Sequence, residues 1–123
     1  MSTKKFLFLL VFLLIISVNG VNAEDNSLSD LRFLVDESND TVNLDRDYEF
    51  VQTDSEDGVF IDKDIKIYGN NHAINGLNSS TLLQVSNCNV YMENINFLNA
   101  GNSALKIIDS NIVIKNCTFI NNN

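Results

Sequence analysis

The sequence has no proline and no tryptophan, one histidine, two cysteines and only five glycines. Each shortage narrows the field. Proline is poorly tolerated inside a sheet, so its absence suits uninterrupted strands. One histidine, His72, rules out a His-rich metal site, and the cysteines form no Cys-x-x-Cys pair. Cys88 and Cys117 alone do not make a disulfide scaffold. Basic residues are also scarce, 8 against 16 acids. That balance argues against nucleic acid and against an anionic membrane surface as partners, because both repel it.

Long hydrophobic runs are missing except at the start. Residues 6–18 are apolar but for Ser17, behind Lys4 and Lys5. Val21, Asn22 and Ala23 then precede the polar Glu24, Asp25 and Asn26. This is the layout of a secretory signal over residues 1–23. A membrane span needs roughly 20 apolar residues, and thirteen fall short, so no span is expected after cleavage. An uncleaved anchor is the competing use of the same run. The implied localisation is secreted or cell surface. Without Lys4 and Lys5 the chain keeps 6 bases against 16 acids, a net charge of −10. Fourteen of those acids lie between Glu24 and Asp64. An acidic head on a nearly neutral, Asn-rich tail suggests a solvated cap on a stacked body.

What the sequence does have is a repeat. Residues 89–99 (NVYMENINFLN) overlie residues 111–121 (NIVIKNCTFIN) at an offset of 22. Asn89/Asn111, Asn94/Asn116, Phe97/Phe119 and Asn99/Asn121 are identical pairs. Val90/Ile112, Met92/Ile114, Ile95/Cys117 and Leu98/Ile120 are apolar exchanges. Further back the series becomes looser: Val42, Ile65, Val90, Ile112; Leu44, Ile67, Met92, Ile114; Phe50 or Tyr48 with Ile74, Phe97, Phe119; and Ile61, Val85, Ile107. Within each unit apolar and polar residues alternate over three to five positions, the mark of short strands buried on one face. Asn, Ser and Gly separate these runs, and such residues form turns. Three short strands and three bends in about 22 residues describe one coil of a right-handed parallel β-helix. The fold class expected is therefore all-β, a solenoid of three to four coils over residues 42–123. Stacked coils bring Phe97 onto Phe119 and predict a side-chain amide ladder between Asn94 and Asn116. A β-sandwich with Asn-rich turns is the alternative, but it has no need of a fixed register.

A solenoid needs caps, because each end is an open sheet edge. Residues 24–41 supply one. Ser27 or Ser29 can N-cap a short helix with Asp30 in its first turn, and Leu28, Leu31, Leu34 and Val35 share a face. Residues 121–123 contain no such device, and further repeats of the same protein are the expected partner there.

The chemistry-bearing residues read mostly as structure. His72 aligns with Ile95 and Cys117 and is expected to be a hydrogen-bonded structural residue. A Cys88–Cys117 disulfide is not expected, since 29 residues is not one coil. Asp45, Asp47 and Glu49 alternate as if on one strand face. Asp54, Glu56 and Asp57 crowd a loop. Neither run matches a calcium loop, so solvated charge is the reading. Glu93 and Lys115 are expected to form an exposed ion pair. Three sequons occur; Asn39 and Asn78 fall in turns and are candidate glycosylation positions, whereas Asn116 is expected to stay bare. No catalytic residue, metal ligand or cofactor is assigned.

Residues 65–76 (IKIYGNNHAING) and 112–122 (IVIKNCTFINN) resemble repeat units of the adhesin-like surface proteins of methanogenic archaea. The resemblance takes in the leader and the capping helix. It implies a pectin-lyase-like right-handed β-helix that meets glycans or other cell surfaces without catalysis. The same fold class also carries polysaccharide-degrading enzymes, so the front part of such an enzyme is the alternative. The outward columns of the later coils hold one carboxylate, Glu93, which is too little for glycosidase or lyase chemistry.

Overall fold

A computed structural model describes residues 26–123, and the expected leader lies outside the described residues. Alternation becomes geometry directly. The first coil contains β1 (Thr41–Asn43), β2 (Tyr48–Glu49) and β3 (Val59–Ile61). The second contains β4 (Ile65–Tyr68), β5 (Ala73–Asn75) and β6 (Leu83–Ser86). The third contains β7 (Asn89–Glu93), β8 (Asn96–Leu98) and β9 (Leu105–Ile108), and β10 (Asn111–Lys115) and β11 (Thr118–Ile120) begin a fourth. Every pairing is parallel, and the strands stack as three sheets: β1-β4-β7-β10, β2-β5-β8-β11 and β3-β6-β9. The protein is a parallel β-solenoid of about three turns.

The core runs up the middle. Ile67, Ile74, Val85, Met92, Ile95 and Phe97 are all buried there. Burying a side chain of this size is worth roughly 1.5–3 kcal/mol. Phe97 lies opposite Phe119, with ring centroids 4.9 Å apart and planes 14° from parallel.

The 22-residue register holds from β7 to β10 and from β6 to β9, as in Val90↔Ile112 and Val85↔Ile107. The first coil is different. Val42 pairs with Ile67, not with Ile65, so β1 is displaced by two residues from the alignment read in the sequence. A two-residue shift keeps every side chain on its own face, so alternation cannot detect it. Tyr48 rather than Phe50 faces Ile74.

The bends explain the asparagines. Among the described residues ten non-glycine residues have positive φ, and eight of them are Asn, including Asn87, Asn94, Asn99, Asn116 and Asn121. Asn is the side chain most at ease there after glycine, which lets a chain with five glycines turn so often. Asn94 (φ 55°) and Asn116 (φ 52°) are corner residues. The amide ladder expected between them does not form among the described residues. Their left-handed backbone serves the corner instead, and the Asn94 N–H donates to the Lys115 carbonyl at 3.0 Å. Side-chain bonds between coils run in other columns: Asn111 Nδ2 to Asn89 Oδ1 at 2.9 Å, and Thr118 Oγ1 to Asn96 Oδ1 at 2.6 Å. Asn116 is exposed, so the packing reason for keeping it bare of a glycan falls away.

The one helix among the described residues, α1 (Leu28–Glu37), closes the first coil. Ser27 is its N-cap, and a capping box joins it to Asp30: the Asp30 N–H donates to Ser27 Oγ at 3.1 Å and the Ser27 N–H to Asp30 Oδ2 at 2.9 Å. Leu28, Leu31 and Val35 are buried, and α1 packs on β2 and β3. Just before it, Ser27 bridges to Glu49 in parallel and covers the edge of β2. Lys63 secures the other helix end, donating from Nζ to the carbonyls of Asp36 (3.2 Å) and Ser38 (2.6 Å).

Candidate functional site

Outside the solenoid, stacking aligns exposed side chains as firmly as it aligns the core. On the β1-β4-β7-β10 sheet the outward columns are Lys66/Tyr91/Val113 and Tyr68/Glu93/Lys115. Tyr68 and Tyr91 meet on the diagonal, with centroids 6.0 Å apart and planes tilted by 55°. Neighbouring strands place such diagonal side chains within reach of each other. A groove of about 430 Å³ follows this face, lined by Lys66, Tyr91 and Val113, with Asp64, Asn89 and Asn111 along it. Its walls are mostly apolar, and a few amide and carboxylate groups converge on it. That composition suits a ligand with apolar faces and hydroxyl edges.

The polar groups here are already partly committed. The Asp64 carboxylate accepts the Asn89 N–H at 2.7 Å. The Tyr91 hydroxyl donates to Glu93 Oε1 at 2.6 Å. That bond, more than any other influence, pushes the Tyr91 pKa up to about 12. The ion pair expected between Glu93 and Lys115 does not form among the described residues. Tyr91, two residues away on the same strand face, takes the carboxylate instead.

A second groove of about 540 Å³ runs between α1 and the β1–β2 connection. Phe33 stands 67% exposed beside it, with Asp30, Glu37 and Asp45 nearby. Asp45, Asp47 and Glu49 do not share a strand face, because residues 44–47 form a bend and only Glu49 belongs to β2. Asp45 bonds Arg46 Nε at 3.0 Å. Asp47 accepts the Ala73 N–H at 2.8 Å and lies 3.1 Å from His72 Nδ1. The Ala73 N–H first, and His72 beside it, hold the Asp47 carboxyl below its usual range.

Asp54 overturns the solvated reading of its loop. It is buried and accepts the backbone N–H groups of Leu28, Ser29 and Val51 at 3.1, 3.0 and 2.8 Å. An anion at the first turn of a helix satisfies donors that have no partner within the helix. The available signal was an Asp in a loop facing a helix start, but only the fold brings the two together.

His72 is half-buried at the start of β5, beside Asp47. Cys88 and Cys117 are free thiols. Cys88 is buried, with its Sγ 3.6 Å from the Ile61 carbonyl, and burial pushes its pKa up. Asn39 and Asn78 are both exposed, Asn78 in the left-handed conformation. Among the described residues no three of His, Cys, Asp and Glu gather to hold a metal ion, and no helix is long and apolar enough to cross a membrane.

Comparison with family models, with curated proteins and with solved structures gives no match.

Proposed function

We propose that the chain is a module of an exported cell-surface β-helix of the adhesin-like kind, which binds glycans on its outer face and catalyses nothing. One observation carries this reading. The stacked sheet β1-β4-β7-β10 sets Tyr91 in a mostly apolar groove edged by Asn89 and Asn111, and Tyr68 packs against that ring with centroids 6.0 Å apart. Aromatic rings accept the apolar faces of sugar rings, and side-chain amides bond their hydroxyls. The net charge of −8 favours neutral or cationic glycans over polyuronides. Glu93, the carboxylate of the outward columns, is engaged by Tyr91.

A glycan array probed with the purified protein tests the proposal. Retention of neutral or amino-sugar glycans is expected, weakened at least about tenfold by Tyr91→Ala. Equal retention by that variant, or none by either protein, would remove the groove from the argument. Release of unsaturated product from a polyuronide would instead favour the enzyme alternative.

A further inference from the structure

One edge of the groove on the β1-β4-β7-β10 face is built from strand starts. Asp40 and Asp64 immediately precede β1 and β4, and Asn89 and Asn111 open β7 and β10. Stacking sets Asp64, Asn89 and Asn111 in a row, and the Asp40 carbonyl, which accepts the Lys66 N–H at 2.9 Å, keeps Asp40 close to it. Hydrogen bonds decide what this edge can still offer. Asp64 Oδ1 accepts the Asn89 N–H at 2.7 Å, and Oδ2 has no hydrogen-bond partner among the described residues. Asp40 Oδ1 accepts the Thr41 hydroxyl at 3.1 Å, and its Oδ2 is likewise left over. The Tyr91 hydroxyl spends its hydrogen on Glu93, so toward a ligand its oxygen can only accept. The acceptors left around the Tyr91 ring thus include two exposed carboxylates. A ligand that fits must bring donors, and a cationic donor gains most.

We propose that the groove takes oligosaccharides of unacetylated amino sugars, with a sugar face on Tyr91 and the ammonium on Asp64, and that it discriminates against the same sugars once N-acetylated. This rests on the glycan reading above and narrows it to one class. Three observations select this ligand. First, position. Lys66 is the register partner of Tyr91, and Asp64 lies two residues before Lys66, on the same strand face. Asp64 is therefore the diagonal neighbour of the ring, within reach of a ligand that covers it. Second, charge. Fourteen of the 16 acids lie between Glu24 and Asp64, and their field draws cations toward this part of the solenoid. Third, hydrogen bonding. An ammonium brings up to three donors to the leftover oxygens, whereas an acetamide brings one donor, no charge and a further acceptor. Lys66 is the opposing group. It is the cation among the lining residues, and it forms no ion pair among the described ones. Its stem covers the groove wall while its ammonium can turn to water, so it weakens binding of a cation without barring it. Asp64 and Tyr91 belong to β4 and β7 regions in the middle of the stack, so neither end of the solenoid enters the argument.

Isothermal titration calorimetry on the full chain is the test, in mildly acidic buffer where the sugar amine is protonated. The probes are glucosamine, N-acetylglucosamine and glucose oligomers of one length and one linkage, which differ only in an ammonium, an acetamide or a hydroxyl at the same carbon. The glucosamine oligomer is expected to bind about fivefold more tightly than the other two, or better. Asp64→Asn keeps an oxygen for the Asn89 N–H, so the fold survives, and an unchanged far-ultraviolet circular dichroism spectrum verifies it. That variant should erase the preference and leave binding of the glucose oligomer in place. Lys66→Met keeps the stem without the charge and should tighten the glucosamine oligomer. Tyr91→Ala should weaken all three. Equal affinities that all fall in Tyr91→Ala would overturn the amine preference and leave the glycan reading standing. No binding of any oligomer would overturn both. A glucosamine preference unchanged in Asp64→Asn would be diffuse attraction to the acidic head and would also overturn the proposal.

Discussion

Asp54 Oδ2 accepts the backbone N–H of Leu28 at 3.1 Å, across 26 residues of sequence, and so ties the start of α1 to the loop after β2. The same carboxylate holds the Ser29 and Val51 N–H groups. Replacing Asp54 with Ala leaves several buried or half-buried donors without a partner. Each orphaned buried donor costs about 1–3 kcal/mol. Asp54→Ala is therefore expected to lower the unfolding free energy by about 3 kcal/mol in urea titration, against less than about 1 kcal/mol for the exposed Asp57→Ala. Equal effects would show that Asp54 is solvated after all.

The corner asparagines make a sharper comparison. Asn94 sits at φ 55°, where a Cβ-bearing residue without a local hydrogen-bonding side chain costs roughly 1–2 kcal/mol. Asn94→Ala is expected to lose about 1 kcal/mol of stability. Asn94→Gly, free of that steric cost, should be near neutral. A loss as large in the Gly variant would mean that the side chain, not the backbone conformation, is what matters. Gly69 sits against this corner for a related reason: a Cβ there would collide with the Asn94 carbonyl oxygen.

Much of this architecture is legible in the sequence because stacking is a local rule repeated. An inward residue needs a similar residue one coil later, so Val85/Ile107 and Phe97/Phe119 can be aligned by eye, and the parallel solenoid follows. The helix is readable for the same kind of reason, since Ser27 and Asp30 are three apart and the box they form is local. Legibility ends where the physics is not local. Val42 can slide by two residues without changing face, so its true partner, Ile67, is invisible to pattern. Asp54 looks like one more loop acid until the fold delivers Leu28 to it. The Tyr68–Tyr91 contact crosses two columns and emerges only when the register is fixed.

Acid should act through Asp47. Its carboxyl is held below its unfolded value by the Ala73 N–H and by His72. A carboxylate with a depressed folded pKa stabilises the fold fully above its unfolded pKa, near 3.9. That contribution disappears as pH falls through the folded value. Stability should therefore decline below about pH 4, and Asp47→Asn should flatten part of that decline. The side chain is 71% exposed, so the effect is modest. Urea midpoints taken from neutral to acid pH measure it, and parallel curves for the two proteins would count against the assignment.

The base side isolates the candidate groove. The hydrogen bond to Glu93 pushes the Tyr91 hydroxyl up to about 12, from an ordinary value near 10. A raised folded pKa means that the contribution is complete below the unfolded value and is lost as pH rises through the folded one. Burial pushes Tyr48 up as well, so tyrosinate absorbance should show more than one late-titrating phenol among the three tyrosines, with the Tyr91 component the one set by Glu93. Tyr91→Phe should delete that component. Glu93→Gln should bring it down toward the ordinary range, because a neutral amide accepts the phenolic proton more weakly than a carboxylate does. A component that Tyr91→Phe removes but that stays late in Glu93→Gln would place the cause elsewhere, in burial or in the neighbouring Tyr68, and would weaken the picture of a Tyr91 ring braced from its own strand.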